Sequence, residues 1–187
     1  MLDHSCQAGR APLREHPGDC YDTPPEAVHA LLRVEHLPHR IWEPACGTGN
    51  IVGVLRAAGH EVIATDLNYR GCPISTARVD FLLPTTPPLV CDAIVTNPPH
   101  SLAEQFVACA IERAPLVIML LRLAFLESER RSHILDHAHL ARIHLFARRL
   151  PMMHRAGWTG PRASSAIPFA WFLWDAEHCG PATIDRI

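Results

Sequence analysis

The spacing of apolar residues along this chain alternates between a helical and a strand-like period. Thr23-Pro24-Pro25 is typical of a helix start with Thr23 as N-cap, and apolar residues then recur at helical spacing until Pro38. Further helices are predicted over 50–58, from Ser101 onward with a capping box to Glu104, and over 127–137. Short runs rich in apolar or β-branched residues predict strands at 40–43, 61–66, 77–82, 91–96, 116–121, 142–146 and 169–174.

This alternation of strands and helices predicts an α/β fold with a Rossmann-like, doubly wound and mostly parallel sheet. The continuous apolar run at 116–121 is expected of a central strand that is covered on both faces. The last two strands have no clear helix between them, which predicts an antiparallel C-terminal hairpin at one edge of the sheet. Residues 1–19 are expected to form a flexible leader, and residues 20–187 a single domain.

Composition narrows the class of protein. The chain has 187 residues, 48% of them hydrophobic, so it can bury a normal core, yet no apolar run approaches the roughly 20 residues that span a membrane. The polar N-terminus lacks the hydrophobic core of a signal peptide, which favours a cytoplasmic location. Seven cysteines without CxxC spacing argue against a disulfide framework or a zinc site. No metal is expected, and His133, His137 and His139 are interpreted as a surface cluster.

The charge of the chain is unevenly distributed. Residues 1–112 contain 7 arginines and 13 acidic residues, a net charge of −6, whereas residues 113–187 contain 10 arginines and 6 acidic residues, a net charge of +4. All basic residues are arginines. A basic C-terminal part suits contact with phosphates, although an ordinary solvated surface explains the same charges.

A glycine-rich turn, Glu43-Pro44-Ala45-Cys46-Gly47-Thr48-Gly49-Asn50, follows the first predicted strand. Strand, glycine turn and helix commonly form a site for a nucleotide-like cofactor, because the glycines let the backbone approach the ligand. Asp66, at the tip of the next strand, can accept two hydrogen bonds from ribose hydroxyls. Val52 stands where a dinucleotide fold has its third small residue, and Glu43 would repel a pyrophosphate. The acid instead suits a cofactor with an ammonium, a ribose and an adenine, as in S-adenosylmethionine.

A second motif, Asn97-Pro98-Pro99-His100, follows the predicted strand at 91–96, at the edge where open α/β sheets bind ligands. Its two prolines stiffen the turn and remove backbone donors, which leaves as acceptors the side-chain oxygen of Asn97 and the carbonyl of Pro98. An exocyclic NH2 group offers two N–H donors, and its delocalised lone pair is poorly nucleophilic. Two acceptors that bind both N–H groups favour a tetrahedral nitrogen, whose lone pair can attack an electrophilic methyl group. His100 can stack on a flat substrate.

Together these motifs resemble those of class I S-adenosylmethionine-dependent methyltransferases. They are most similar to the small phage- and bacterium-encoded adenine-N6 DNA methyltransferases with an NPPY-type motif, over about residues 20–175. The resemblance implies that S-adenosylmethionine is the cofactor and that it is bound by Tyr21, Thr23, Glu43, Ala45, Gly47, Gly49, Asp66, Leu67, Asp80 and Phe81. It assigns the methionine carboxylate to the segment 21–24, the ribose to Asp66 and the adenine amino group to Asp80. It further implies that catalysis depends on Asn97, Pro98, Pro99 and His100.

Two departures from that family leave the substrate open. His100 replaces the usual aromatic residue, and no separate target-recognition domain is expected, so DNA would be read through short loops. The candidates for nucleic-acid contact are Arg122, Arg148, Arg149, Arg155, Trp158 and Arg162. The sequence favours adenine N6 of DNA as the substrate. The alternatives are an RNA base, a glutamine amide of a protein, or a catalytically weak cofactor-binding module.

Overall fold

A computed structural model describes residues 22–86, 89–136, 139–151 and 167–187 of the protein. The strands are β1 (Arg40–Glu43), β2 (Glu61–Asp66), β3 (Thr76–Ala77), β4 (Ala93–Thr96), β5 (Leu116–Arg122), β6 (Leu140–Leu145), β7 (Phe169–Asp175) and β8 (Thr183–Arg186). The α-helices are α1 (Pro25–Val34), α2 (Asn50–Ala57), α3 (Ala103–Ile111) and α4 (Ser132–Leu135). Short 3-10 helices cover His100–Leu102, Leu123–Leu126 and Glu129–Arg131.

The strands form one sheet in the order β3-β2-β1-β4-β5-β7-β6-β8. All neighbours pair in parallel except β7, which is antiparallel to β5 on one side and to β6 on the other. The mostly parallel α/β sheet predicted from the sequence is therefore confirmed. The order runs outward from β1 in one direction and from β4 in the other, so the carboxyl ends of β1 and β4 flank the crevice where such sheets bind ligands.

Central strand β5 is buried on both faces, as its apolar run predicts. Val117, Met119 and Leu121 lie in the cluster that contains α3, whereas Ile118 and Leu120 lie in the cluster that contains α1 and α2. Three buried tryptophans add polar bonds to this packing, because each indole N–H donates to an oxygen: Trp42 to Thr65 Oγ1 (2.9 Å), Trp171 to the Ala27 carbonyl (2.9 Å) and Trp174 to the Ile134 carbonyl (2.6 Å). The sheet is thus fixed to helices on both faces.

Helix starts and ends differ from the sequence prediction. Pro24, not Thr23, is the N-cap of α1, and no side-chain cap bond forms there. The helix ends at Val34, before Pro38, because Glu35 leaves helical geometry and turns its carboxylate toward Arg142 and His144, 2.7 Å from each. At α3, Leu102 is the N-cap without a side-chain cap bond.

The expected capping residue of α3 has another role. The Glu104 carboxylate accepts a hydrogen bond from Arg130 at 2.6 Å. Because that bond ties α3 to the 3-10 helix at Glu129–Arg131, it fixes the segment that follows β5.

Three strand and helix predictions need correction. The strand predicted at 77–82 shrinks to Thr76–Ala77, because Arg78 adopts a positive φ of 64° and the chain turns away. The helix predicted at 127–137 divides into Glu129–Arg131 and Ser132–Leu135. The β6–β7 hairpin is antiparallel as predicted, but it does not form the edge, since β8 pairs in parallel with β6.

Within the described residues, no three His, Cys, Asp or Glu side chains are grouped closely enough to hold a metal ion. Among the helices that the structure describes, none has the length and apolar character needed to cross a membrane.

Candidate active site

A cavity of about 420 Å³ lies at the carboxyl ends of the central strands, and both sequence motifs line it. The predicted site residues that face this cavity are Thr23, Glu43, Ala45, Gly47, Asp66, Leu67, Asp80, Phe81, Asn97, Pro98, Pro99 and His100. The fold therefore brings the glycine turn, the two acidic strand ends and the Asn-Pro-Pro turn around one space. Tyr21 lies outside the described residues.

The glycine turn between β1 and α2 needs left-handed backbone at two positions. Gly47 has a φ of 54° and Gly49 a φ of 91°. A Cβ on Gly47 would meet no atom within 4 Å, whereas a Cβ on Gly49 would lie 2.8 Å from the Cys72 sulfur. Gly47 thus faces the cavity, and Gly49 is not among the lining residues but packs against the loop after β2. The two glycines serve different purposes, close approach of a ligand and internal packing.

Glu43, the last residue of β1, places a carboxyl group at the floor of the cavity. Its side chain is buried, and one oxygen accepts a hydrogen bond from the Val52 N–H in the first turn of α2. The other oxygen, Oε2, meets no hydrogen-bond partner among the described residues. Burial, and next the nearby Asp66 charge, raise the pKa of Glu43 well above its usual value. A cationic ligand group that reached Glu43 would satisfy Oε2 and neutralise the charge.

Asp66 ends β2 and connects the turn to the following loop. Its Oδ2 accepts the Gly47 N–H at 2.9 Å, and its Oδ1 accepts the Asn68 N–H at 2.9 Å. The Arg70 guanidinium lies 3.7 Å from Oδ1. A carboxylate has about four acceptor positions, so Asp66 retains capacity for ligand hydroxyls beside the turn that it holds.

The segment before α1 is joined to the glycine turn by two hydrogen bonds. Thr48 Oγ1 donates to Asp22 Oδ1 at 2.8 Å, and Asn50 Nδ2 donates to the Thr23 carbonyl at 3.0 Å. All four residues line the cavity. The Thr23 side chain is buried, so this segment closes one wall of the site rather than capping the helix.

Asp80 and Phe81 lie on the loop after β3. Asp80 Oδ1 accepts the Leu82 N–H at 2.9 Å, which forms a tight turn at the cavity wall. The Phe81 ring points into the core, with its centroid 5.1 Å from that of Trp42 and 5.0 Å from that of Phe106. Phe81 therefore anchors this wall through its side chain, while Leu67, 39% exposed, lines the cavity from the end of β2.

The Asn97-Pro98-Pro99-His100 turn follows β4 directly and leads into α3 through the 3-10 helix His100–Leu102. Thr96 and Pro98 are buried, and Asn97 is half-buried at the cavity. The His100 ring lies against the ring of Phe169, with centroids 5.5 Å apart. The turn is therefore held from behind by β4 and at its end by the first residue of β7.

The three candidate nucleic-acid residues that the structure describes lie at the carboxyl-end edge of the sheet. Arg122 ends β5 and pairs in register with Phe169, and its Nε is buried without a hydrogen-bond partner among the described residues. Arg148 and Arg149 are exposed beyond the end of β6. These three arginines do not line the cavity. Arg122 lies on β5, next to β4, whereas Arg148 and Arg149 follow β6, three strands from β4 in the sheet. Arg155, Trp158 and Arg162 lie outside the described residues.

Asp22, Thr48 and Asn50 line the cavity from within the sequence motifs, although no role was predicted for them individually. Other lining residues lie outside the motifs: Asn68, Arg70, Leu82, Ser101, Leu102, Gln105 and Phe106. The sequence could have indicated Leu102, Gln105 and Phe106, because their spacing places them on one helical face after the Asn-Pro-Pro turn. The contact of Phe169 with His100 could not be predicted from the sequence, because it depends on the order of the strands in the sheet.

Comparison with known proteins shows the fold. No family model matches the sequence, and no curated protein matches it. Among solved structures, a proposed RNA methyltransferase from Pyrococcus horikoshii is similar with a TM-score of 0.62 and 13% identity, over 87% of this chain and 89% of that chain. A proposed class I S-adenosylmethionine-dependent methyltransferase from Listeria monocytogenes has a TM-score of 0.60 and 11% identity, over 94% and 67%.

A modification subunit of a proposed type I restriction enzyme from Vibrio vulnificus also has a TM-score of 0.60, with 14% identity. The match covers 89% of this chain and 47% of that subunit, so the chain spans about half of its length. These likenesses identify the architecture as the Rossmann-like methyltransferase fold.

Proposed function

We propose that this protein is an S-adenosylmethionine-dependent N-methyltransferase that acts on an exocyclic amino group, with adenine N6 of DNA as the favoured substrate. The observation that carries the proposal is the single cavity shared by the glycine turn, Asp66, Asp80 and the Asn97-Pro98-Pro99 turn. That cavity combines acceptors for a cofactor with acceptors for an amino group. The methyltransferase fold of the similar structures supports it.

The polar groups around the cavity fit the functional groups of this cofactor. The buried Glu43 Oε2 suits the ammonium, Asp66 suits the ribose hydroxyls, and Asp80 suits the adenine amino group. Gly47 leaves open space where a side chain would obstruct close approach of the backbone to a ligand. When bound, S-adenosylmethionine supplies an electrophilic methyl group.

Asn97 and Pro98 then act on the substrate nitrogen. The Asn97 side-chain oxygen and the Pro98 carbonyl accept its two N–H bonds, which orients the lone pair and favours its tetrahedral geometry. The nitrogen would displace the thioether sulfur of S-adenosylhomocysteine from the methyl carbon, so that the N–C bond forms as the C–S bond breaks. The nitrogen becomes positive in this step, and its surplus proton leaves to water. Since these acceptors stabilise that positive charge, they contribute more in the transition state than in the ground state.

Nucleic acid is the substrate class that the surroundings favour. Arg122, Arg148 and Arg149 supply positive charge on the carboxyl-end side of the sheet, and the His100 ring, which rests against Phe169, supplies a flat surface for a base. The similar structures include both a proposed RNA methyltransferase and a modification subunit of a proposed type I restriction enzyme. We further propose that residues 20–187 form a single domain that reads its target through short loops.

Methyl transfer from labelled cofactor tests the proposal. Purified protein is incubated with DNA, RNA and a mixed protein extract, and labelled nucleosides are identified by mass spectrometry. N6-methyladenine in DNA is the expected product. Asn97→Ala is expected to lower the rate by roughly 10²–10³-fold, as does the loss of one preorganised polar group elsewhere, with binding of S-adenosylhomocysteine unchanged. Label in RNA or in glutamine would reassign the substrate, and cofactor binding without any transfer would indicate a binding module.

A further inference from the structure

Arg113, in the turn after α3, forms two hydrogen bonds with the loop that carries Asp80. Its Nη1 donates to the Phe81 carbonyl at 2.6 Å, and its Nη2 donates to the Leu83 carbonyl at 3.2 Å. The guanidinium carbon also lies 4.8 Å from the centroid of the Phe81 ring. Arg113 does not line the cavity, so these contacts act on the site through the main chain of the loop.

Other hydrogen bonds hold the start of this loop and set its shape. The Arg78 N–H donates to the Leu67 carbonyl at 3.2 Å and the Val79 N–H to the Asp66 carbonyl at 3.1 Å, so the loop before Asp80 is held at the end of β2. Asp80 Oδ1 accepts the Leu82 N–H at 2.9 Å, and the Asp80 carbonyl accepts the Thr86 hydroxyl at 2.5 Å. These last two bonds lie within the loop and do not connect the segment after Asp80 to another element. By contrast, Arg113 lies in the turn after α3, and its planar guanidinium presents donors at fixed angles. Holding the carbonyls of Phe81 and Leu83 therefore fixes the position and the orientation of the segment that follows Asp80.

We propose that Arg113 is a positioning residue for adenine recognition, which places the Asp80 carboxylate against the 6-amino group of the cofactor. This inference rests on the proposed function. The Leu82 N–H bonds to Oδ1 of Asp80, and the carboxylate retains acceptor capacity for the amino group. A hydrogen bond to a charged group depends steeply on distance and angle, so a small shift of the loop removes it.

Two ligands that differ at one group test this role. S-adenosylhomocysteine carries the 6-amino group, whereas S-inosylhomocysteine has a carbonyl oxygen there, which Asp80 repels. Calorimetry of the wild-type protein is expected to give about tenfold or greater preference for the adenosyl ligand, the contribution of one hydrogen bond to a charged group. Arg113→Ala is expected to reduce that ratio to about threefold or less, chiefly by weakening the adenosyl ligand.

Three further variants sharpen the comparison. Arg113→Lys keeps the charge but cannot hold both carbonyls in a fixed fork, so an intermediate ratio is expected. Asp80→Asn alone is expected to abolish the preference for the adenosyl ligand. Adding Arg113→Ala to Asp80→Asn is expected to leave the ratio of the two affinities unchanged. Arg33→Ala, at an exposed arginine of α1, is the matched control and is expected to keep the wild-type ratio.

The outcomes separate this inference from the function that it rests on. A wild-type protein that does not bind S-adenosylhomocysteine overturns both. A wild-type protein that binds the two ligands equally leaves the function standing and overturns the inference. If the wild-type protein discriminates and both Arg113 variants weaken the two ligands by the same factor, Arg113 has only a structural role, and the inference is wrong. Should Arg113→Ala fail to fold, Arg113→Lys decides by the same criterion.

Discussion

The imidazole ring of His100 lies against the ring of Phe169, with 5.5 Å between centroids and 42° between planes. His100 belongs to the turn after β4, whereas Phe169 begins β7 on the far side of β5. The contact therefore crosses one strand and orients the His100 ring at the cavity. Because Phe169 also pairs in register with Arg122, the same strand end joins the proposed catalytic turn to a proposed nucleic-acid contact.

We expect Phe169→Leu to lower kcat for methyl transfer by about tenfold, since a substituted leucine leaves the His100 ring without its flat partner. His100→Ala is expected to lower it at least as much, and His100→Tyr to retain or raise it, because a larger ring stacks better on a base. Steady-state kinetics with labelled cofactor measure these changes. Binding of S-adenosylhomocysteine is expected to stay within about twofold in all three variants, and an equal loss of binding and kcat would contradict the role in substrate stacking.

The buried carboxyl group of Glu43 makes stability depend on pH. Its pKa is raised well above the ordinary value of 4.5, first by burial and second by Asp66. The folded protein therefore keeps this proton over a pH range where the unfolded chain has lost it. The stability that the neutral group contributes is full below pH 4.5 and is lost as pH rises through the folded pKa. Because the glutamine of Glu43→Gln stays neutral, the Tm of this variant is expected to exceed that of the wild-type protein by a margin that grows as pH rises.

Calorimetric melting without ligand, over a pH series from about 4 to 8, measures this difference. A pKa raised by one pH unit corresponds to about 1.4 kcal/mol, or roughly 3–6 °C in Tm for a domain of this size. A difference in Tm that does not change with pH would show that Glu43 titrates normally.

The pH dependence of ligand binding is a second test of the Glu43 carboxyl group. An ammonium favours the ionised carboxylate, so it lowers the pKa of Glu43 and binding releases a proton at pH values below the raised pKa. Affinity for S-adenosylhomocysteine is therefore expected to rise with pH across the range in which Glu43 loses its proton. In Glu43→Gln the affinity is expected to fall by about tenfold, and this pH dependence to disappear. Calorimetry in two buffers of different ionisation enthalpy counts the released proton, and its persistence in the variant would exclude Glu43.

The sequence predicted those parts of the fold that rest on local pattern. The run at 116–121 indicated the central strand correctly, because burial on both faces leaves only apolar residues there. Strand β8 was missed because all four of its residues are exposed, and main-chain pairing to β6 holds it in place. The strand predicted at 77–82 failed for the opposite reason, since Asp80 and Thr86 hold that segment in turns that apolar content does not reveal.

The candidate site divides in the same way. Glu43, Asp66 and the two turns were predictable, because each side chain stands at the end of a strand in a short motif. Arg113 and Phe169 were not, since their contacts with the Asp80 loop and with His100 depend on which strands are neighbours. Phe81 lines the cavity as the sequence suggested, but its ring packs between Trp42 and Phe106.

The two glycines of the turn are expected to respond differently to alanine. Gly47→Ala places a methyl group in open space at a φ of 54°, so the expected cost is the left-handed backbone alone, about 1 kcal/mol. Gly49→Ala has a φ of 91° and places Cβ 2.8 Å from the sulfur of Cys72, which is buried and cannot easily move. Overpacking adds about 1–3 kcal/mol, so this variant is expected to lose more stability.

Urea denaturation of both variants checks this order. The affinity for S-adenosylhomocysteine is expected to fall more in Gly47→Ala than in Gly49→Ala, because Gly47 faces the cavity and Gly49 does not. Equal losses of stability in the two variants would mean that the contact with Cys72 does not constrain the turn.

The arginines at the carboxyl edge are expected to set the salt dependence of nucleic-acid binding. Each arginine that contacts a phosphate contributes about −0.9 to the slope of log K against log salt concentration, through release of counterions. Arg122→Gln, Arg148→Gln and Arg149→Gln are therefore each expected to reduce the slope by about one and to weaken binding similarly for all sequences. Fluorescence anisotropy with a labelled duplex over a salt series measures the slope. Arg33→Gln, at an exposed position of α1, is the control, and its slope is expected to equal that of the wild-type protein. If the three other variants also kept the wild-type slope, the nucleic acid would bind to another surface.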